Sequence, residues 1–334
     1  MNWGRGYFTK YILTTVDPGS WGDTGEIPII DGVIDRDAST ELLESASLTV
    51  NERITEQLVR VYMICKQHGE TVREALFTGL STTPTRNING NIEKNTLECY
   101  SVLKYADDVL LPLGYFAAAG SQGGQIIRRL LSDLPCEVMV EAGAPVITNN
   151  IVAGASDSKL KMARLIADAI NWEIKTDGMG NVKVGPKPSE PAAYFDANSM
   201  DIIEPQVTDN HDLFNIPNVV RVTKSDSTAI ARNDDPENAY STVGRGREIW
   251  KSESTAALSS DESLASYAMR RLKELQAPAR TLNYTRRFHP DVVPNSLIGI
   301  TYPKQDLTGI FRVSSQSITL GHAAKTEEEA VSET

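Results

Sequence analysis

The side chains of this chain that could do chemistry are few and scattered. His68, His211, His289 and His322 are its four histidines. Asp209-Asn210-His211-Asp212 gathers metal-binding types, but the spacing matches no standard zinc or calcium site, and such runs are ordinary in acidic loops. Phe288-His289-Pro290-Asp291 would supply a His and an Asp to a hydrolytic triad, yet no GxSxG elbow presents a serine to them. Thr242-Val243-Gly244-Arg245-Gly246-Arg247-Glu248 carries GxG between arginines. A phosphate loop needs a strand before it and a helix after it, whereas Ile249-Trp250-Lys251 reads as strand, so a tight turn with basic flanks is expected. Cys65, Cys99 and Cys136 are odd in number, widely spaced and set among apolar residues, which predicts small core hydrophobes rather than disulfides or metal ligands. The pairs Arg270-Arg271 and Arg286-Arg287 are expected on solvated faces or interfaces. Glu41 and Glu44 would share a face only in a helix. The residues alone predict no catalytic, cofactor-binding or metal site, and no cofactor.

The elements that would position these residues are mostly strands. Asp31 to Val50 alternates apolar and polar residues, breaks at Asp37-Ala38-Ser39 and resumes at Ala46, Leu48 and Val50. It predicts two half-buried strands with an acidic face bearing Asp35, Asp37, Glu41 and Glu44. Strands are also expected at 7–16, 27–34, 57–66, 72–80 and 95–105. The strand at 57–66 is apolar on both faces and so buried on both. Asn89-Gly90 marks a hairpin. Six or more strands before residue 110, with no convincing helix, predict a small antiparallel barrel or sandwich. Helices follow near 121–134 and 157–171, the latter with Ser156 as N-cap, then a hairpin over 172–185 around Asp177-Gly178. Pro186 to Pro191 marks a boundary. Residues 195–216 read as irregular and acidic, 218–224 and 228–232 as strands. Ser259-Ser260-Asp261-Glu262 fits a capping box opening a helix over 261–276. Strands return at 281–288, 297–302 and 309–320, and the tail from Lys325, with Glu327-Glu328-Glu329, is expected to fray.

The 334 residues suffice for two or three domains, and composition is that of an ordinary soluble protein. No apolar run is long enough to span a bilayer and the first residues lack a signal-peptide core, so synthesis in a cytoplasm and no membrane partner are expected. A net charge of -11 argues against ordinary nucleic-acid binding, while an acidic wall would let phosphate pass without sticking.

Three stretches together resemble the baseplate-hub, or tail-hub, family of phage tails and related contractile injection machines. They are Val16-Asp17-Pro18-Gly19-Ser20-Trp21 running on to Glu44-Ser45-Ala46-Ser47-Leu48-Thr49-Val50; the 157–170 helix with Trp172-Glu173-Ile174 and its hairpin; and Asn218 to Val222, the 261–275 helix and Val293 to Ile300. The resemblance implies an α+β, β-rich fold with two tail-tube-like antiparallel β-barrels and a mixed α+β segment between them. The first barrel would span 1–111, the mixed segment 112–214 and the second barrel 215–334, interrupted by middle segments and with the 261–276 helix packing across it. It further implies a homotrimer, a virion structural protein of the tail tip or baseplate. Such a hub would join a sixfold tail tube or distal tail protein to a threefold spike or tip protein, with the tape measure protein a further partner. It would line a channel through which DNA passes without specific binding. No enzymatic activity is implied. Two other readings stand beside this one: a β-rich tail-tip module binding a host receptor or glycan, which 7% aromatic content weakens, and a peptidoglycan hydrolase, which would need a carboxylate pair or a histidine site in a cleft.

Overall fold

A computed structural model describes residues 2–3, 6–82, 84–90, 92–196, 203–211, 214–224, 227–255, 263–276, 280–303, 306–321 and 324–333. Alternating and doubly apolar runs build seven strands first: β1 (Phe8–Val16), β2 (Asp23–Asp37), β3 (Glu44–Val50), β4 (Gln57–Gln67), β5 (Glu70–Ser81), β6 (Thr85–Asn89) and β7 (Ile92–Ser101). Their pairings run β1-β4-β5-β7-β3-β2, and β2 pairs back onto β1, so six strands close into a ring. Inside lie Leu13, Ile34, Leu48, Val61, Met63, Phe77 and Leu97, with Cys65 and Cys99 among them. β4 is buried along nearly its whole length, as its two apolar faces require.

A mixed unit follows: α1 (Lys104–Asp107), β8 (Phe116–Ala117), α2 (Gly123–Leu130), β9 (Val138–Val140), β10 (Ile151–Val152), α3 (Lys159–Ala169), β11 (Trp172–Thr176) and β12 (Val182–Pro186). Ile127, Leu130, Leu160, Ala163 and Ile166 from the two longer helices pack with Trp172, Ile174, Val182 and Val184 of the hairpin. The cap of α3 is Ser158, whose hydroxyl accepts from the Lys161 N–H at 3.1 Å, not Ser156.

The chain then returns to the large sheet with β13 (Pro191–Asp196) and with β14 (Ile203–His211), the latter within the 195–216 stretch expected to be irregular. It leaves again for β15 (Val219–Lys224), β16 (Ser227–Arg232), α4 (Thr242–Arg245), β17 (Trp250–Ser254) and α5 (Leu264–Gln276), and ends with β18 (Arg280–Arg287), β19 (Leu297–Tyr302), β20 (Leu307–Thr319) and β21 (Lys325–Ser332). α5 does not pack across the large sheet. Ala268 and Leu272 bury against Val220, Val222 and Ala231, making a separate small core. The capping box at 259–262 lies outside the described residues. β21 corrects the frayed tail: it is hydrogen-bonded on both sides, to β20 and β18. The sheet is also not purely antiparallel, because β13 pairs β19 in parallel.

The second strand group, in order β13-β19-β20-β21-β18-β14, has its own core of Phe195, Leu282, Ile298, Ile300, Phe311 and Val313. Two strands are too long for one core, β2 with 15 residues and β20 with 13. They pair with each other from Val33–Thr319 to Asp37–Ser315, fusing both groups into one 13-stranded sheet. Among the described residues no helix is long and apolar enough to cross a membrane.

Candidate functional site

Side chains alternate across a strand, so a sheet covering two cores must present one continuous outer face. That face is mostly polar, with Val33 and Tyr100 among its apolar members. One cross-strand row reads Tyr100, Ser45, Asp35, Ser317, Glu327, Thr285, running β7-β3-β2-β20-β21-β18. The next reads Asp37, Ser315, Glu329, Asn283, Thr208 and reaches β14. Asp31 and Glu98 extend it over the first group, and Lys325 and Arg287 are its nearby cations. The hydroxyls tie the carboxylates in place: Ser317 donates to Asp35 at 2.6 Å, Ser47 to Glu98 at 2.9 Å and Ser314 to Glu329 at 3.0 Å. Over β2, β20, β21, β18 and β14 the face is concave, enclosing about 620 Å³ above Asp35, Asp37, Glu327 and Glu329.

Beneath the face, buried charges fix its strands. Arg286, expected on a surface, is 1% exposed. It meets Glu328 through two N–H groups, with Tyr284 donating to the same carboxylate at 2.6 Å and Gln316 donating to it from β20. Burial works against the Arg286 charge, but Glu328 outweighs it and holds the guanidinium protonated. Burial next to that carboxylate pushes the Tyr284 phenol well up. Glu44, read as part of an acidic surface, is likewise buried, between Arg36 at 3.4 Å and the Thr176 hydroxyl of the mixed unit. Burial pushes its carboxyl up to about 7 against the pull of Arg36.

A third cluster joins the ring to the mixed unit. Arg60, 1% exposed, donates to Asp23 at 2.6 Å, to Thr78 at 2.9 Å and to the Met179 carbonyl at 3.1 Å. Trp21 Nε1 donates to the same carbonyl at 3.0 Å, and Thr78 to that of Gly178 at 2.8 Å. The Asp177-Gly178 turn is thus a plug seated on β4 and β5. A Cβ at position 178 would collide with the Ala75 carbonyl, which is why glycine stands there.

The residues singled out by type do not converge. His68 sits in the β4–β5 turn at φ 48°, His211 ends β14, and His322 lies outside the described residues. Asp209 is held by Arg280 at 2.6 Å, and Asp212 lies outside the described residues. His289 is half-buried, and its Nδ1 accepts from the Asp291 N–H at 3.4 Å; burial and the nearby Arg286 lower its pKa. The GxG stretch forms the single turn α4, capped by Ser241 and stopped by Gly246 in the left-handed conformation, and β17 follows. Arg270 pairs with Glu274, and Arg271 with Glu253 and Glu274. Cys65, Cys99 and Cys136 are free thiols, pushed up by burial to about 12, 12 and 11. Among the described residues no three His, Cys, Asp or Glu side chains are grouped to hold a metal ion. The polar face is half legible in the sequence: Asp35 and Asp37 belong to the alternating stretch that predicts an acidic face, whereas Glu327 and Glu329 lie where a frayed tail is expected.

No family model matches the chain, and no curated protein matches it. Solved structures do. A tail protein from Neisseria meningitidis MC58 superposes with a TM-score of 0.71 over 98% of this chain and 97% of that one, at 14% identity. The 43 kDa tail protein of prophage MuSo2 from Shewanella oneidensis gives 0.68 over 97% and 98%, at 11% identity. A prophage tail protein from Listeria monocytogenes EGD-e gives 0.56 over 97% and 94%, at 9% identity. Identity this low with coverage this complete speaks to architecture, and over nearly its whole length this chain shares the fold of these tail and prophage tail proteins.

Proposed function

We propose that this chain is a structural hub of a phage-type tail, a virion component rather than an enzyme. Three copies form a closed ring, and the two strand groups of each act as tube-like barrels. Six barrels give a pseudo-sixfold rim for the tail tube or distal tail protein, while the whole ring stays threefold for a spike or tip protein. In this reading the first barrel spans 1–111. The second is built from 191–211 and 280–332, with residues 214–276 inserted into it. The observation that carries the reading is the mostly polar face that runs from β7 across the seam between the strand groups to β14. Turned inward, it lines a channel, and its carboxylates repel phosphate so that DNA passes without binding.

The strand groups support this by their charge. Residues 1–103, 191–213 and 277–334 hold 25 Asp and Glu against 15 Lys and Arg, most of the excess behind the net charge of -11. Native mass spectrometry of the full chain, alone and with its tail-tube neighbour, tests the ring. A trimer, or a monomer driven to a trimer by that neighbour, is the expected result; a monomer under both conditions sinks the reading.

A further inference from the structure

The inserted unit has a different electrostatic character from the strand groups that carry it. Residues 214–276 contain nine basic and nine acidic side chains. α5 covers one face of the β16-β15-β17 sheet, and its pairings absorb acids: Arg271 takes Glu253, and Arg270 takes Glu274. On the opposite face Val219 is buried, but Ile230 is 53% exposed and Trp250 44%, the indole N–H donating to Glu248 at 2.8 Å; Phe214 of the same unit is 69% exposed. Arg221 lies over the Trp250 ring at 5.1 Å, Arg247 over Phe214 at 4.5 Å and Arg245 over Tyr240 at 5.3 Å. Among the described residues neither Arg221 nor Arg247 has a carboxylate partner. β17 is moreover an edge strand.

A guanidinium held flat on a ring is weakly hydrated and already ordered, so it loses little on meeting a carboxylate. Exposed Trp and Phe alternating with Arg is the composition of an interface centre, not of a solvated surface. The partner that fits is acidic. A head-to-tail ring requires two different complementary surfaces on each copy. This chain carries one arginine–aromatic face and, elsewhere, strand groups with a marked excess of carboxylates. We propose that this face of the inserted unit docks on carboxylates of the next copy's strand groups that lie outside the channel-lining face, an inference that rests on the ring reading above.

Sedimentation velocity and native mass spectrometry of the full chain, with and without the tail-tube protein, test it. Arg221→Glu with Arg247→Glu should need at least about tenfold more protein to assemble, because like charges then face each other. Arg221→Gln with Arg247→Gln, gentler on folding, should weaken assembly less but in the same direction, and added salt should weaken the wild type. Circular dichroism confirms that each variant is folded. Variants that assemble at wild-type concentrations and with wild-type salt response overturn this surface and leave the ring standing. A wild-type chain that stays monomeric under every condition overturns both.

Discussion

Glu328 is the residue on which the second strand group turns. Removing it leaves the Arg286 charge buried and unbalanced, so Glu328→Ala should cost about 3–5 kcal/mol in urea unfolding, while Arg286→Met with Glu328→Leu should recover most of that. A second buried carboxyl makes stability depend on pH. Glu44 stands near 7 in the fold and at its ordinary 4.5 when unfolded. Between those values the folded chain keeps a proton that the unfolded chain releases. Its contribution is therefore full below 4.5 and lost as pH rises through 7, on the order of 1.4 kcal/mol per unit. Glu44→Gln cannot titrate, so wild-type stability relative to this variant should fall across that window in thermal melts. Neither site was legible beforehand. Glu327-Glu328-Glu329 looks like solvated charge, and only the partner Arg286, 42 positions away on β18, makes an inward glutamate tolerable.

At the scale of elements, the strands readable in the sequence were those whose pattern reports burial: β3 alternates, β4 is apolar twice over. β14 and β21 are not legible as strands because their composition is polar, and what makes them strands is a ladder supplied by β18. The α5 helix was readable as a helix but not as to its place, since an apolar stripe does not say which sheet it covers. The plug at Asp177-Gly178 was readable as a turn and not as a contact. Gly178→Ala should push it off β5, freeing the hydrogen bonds from Thr78, Arg60 and Trp21. Faster amide exchange in β11 and β12, with a loss of about 1–3 kcal/mol, is the expected outcome. Ser158→Ala removes the cap of α3 and should cost about 1 kcal/mol in the same assay.

For the whole molecule, the polar face should be dispensable for folding and decisive for passage. Asp35→Lys with Glu327→Lys and Glu329→Lys alters only outward side chains, so melting should shift little. Tails carrying the triple variant should assemble yet hold back their DNA, measured as release of dye-labelled genome. Release at the wild-type rate would argue that this face does not line the channel. The sheet that carries it has another consequence. Because β2 and β20 run from one core into the other and pair along Val33 to Asp37, there is no joint between the halves. Load applied to one half must reach the other by flexing a continuous hydrogen-bonded plate, since nothing at the seam can slide. Strain imposed on one half is therefore passed to the other through the backbone hydrogen bonds of this shared ladder.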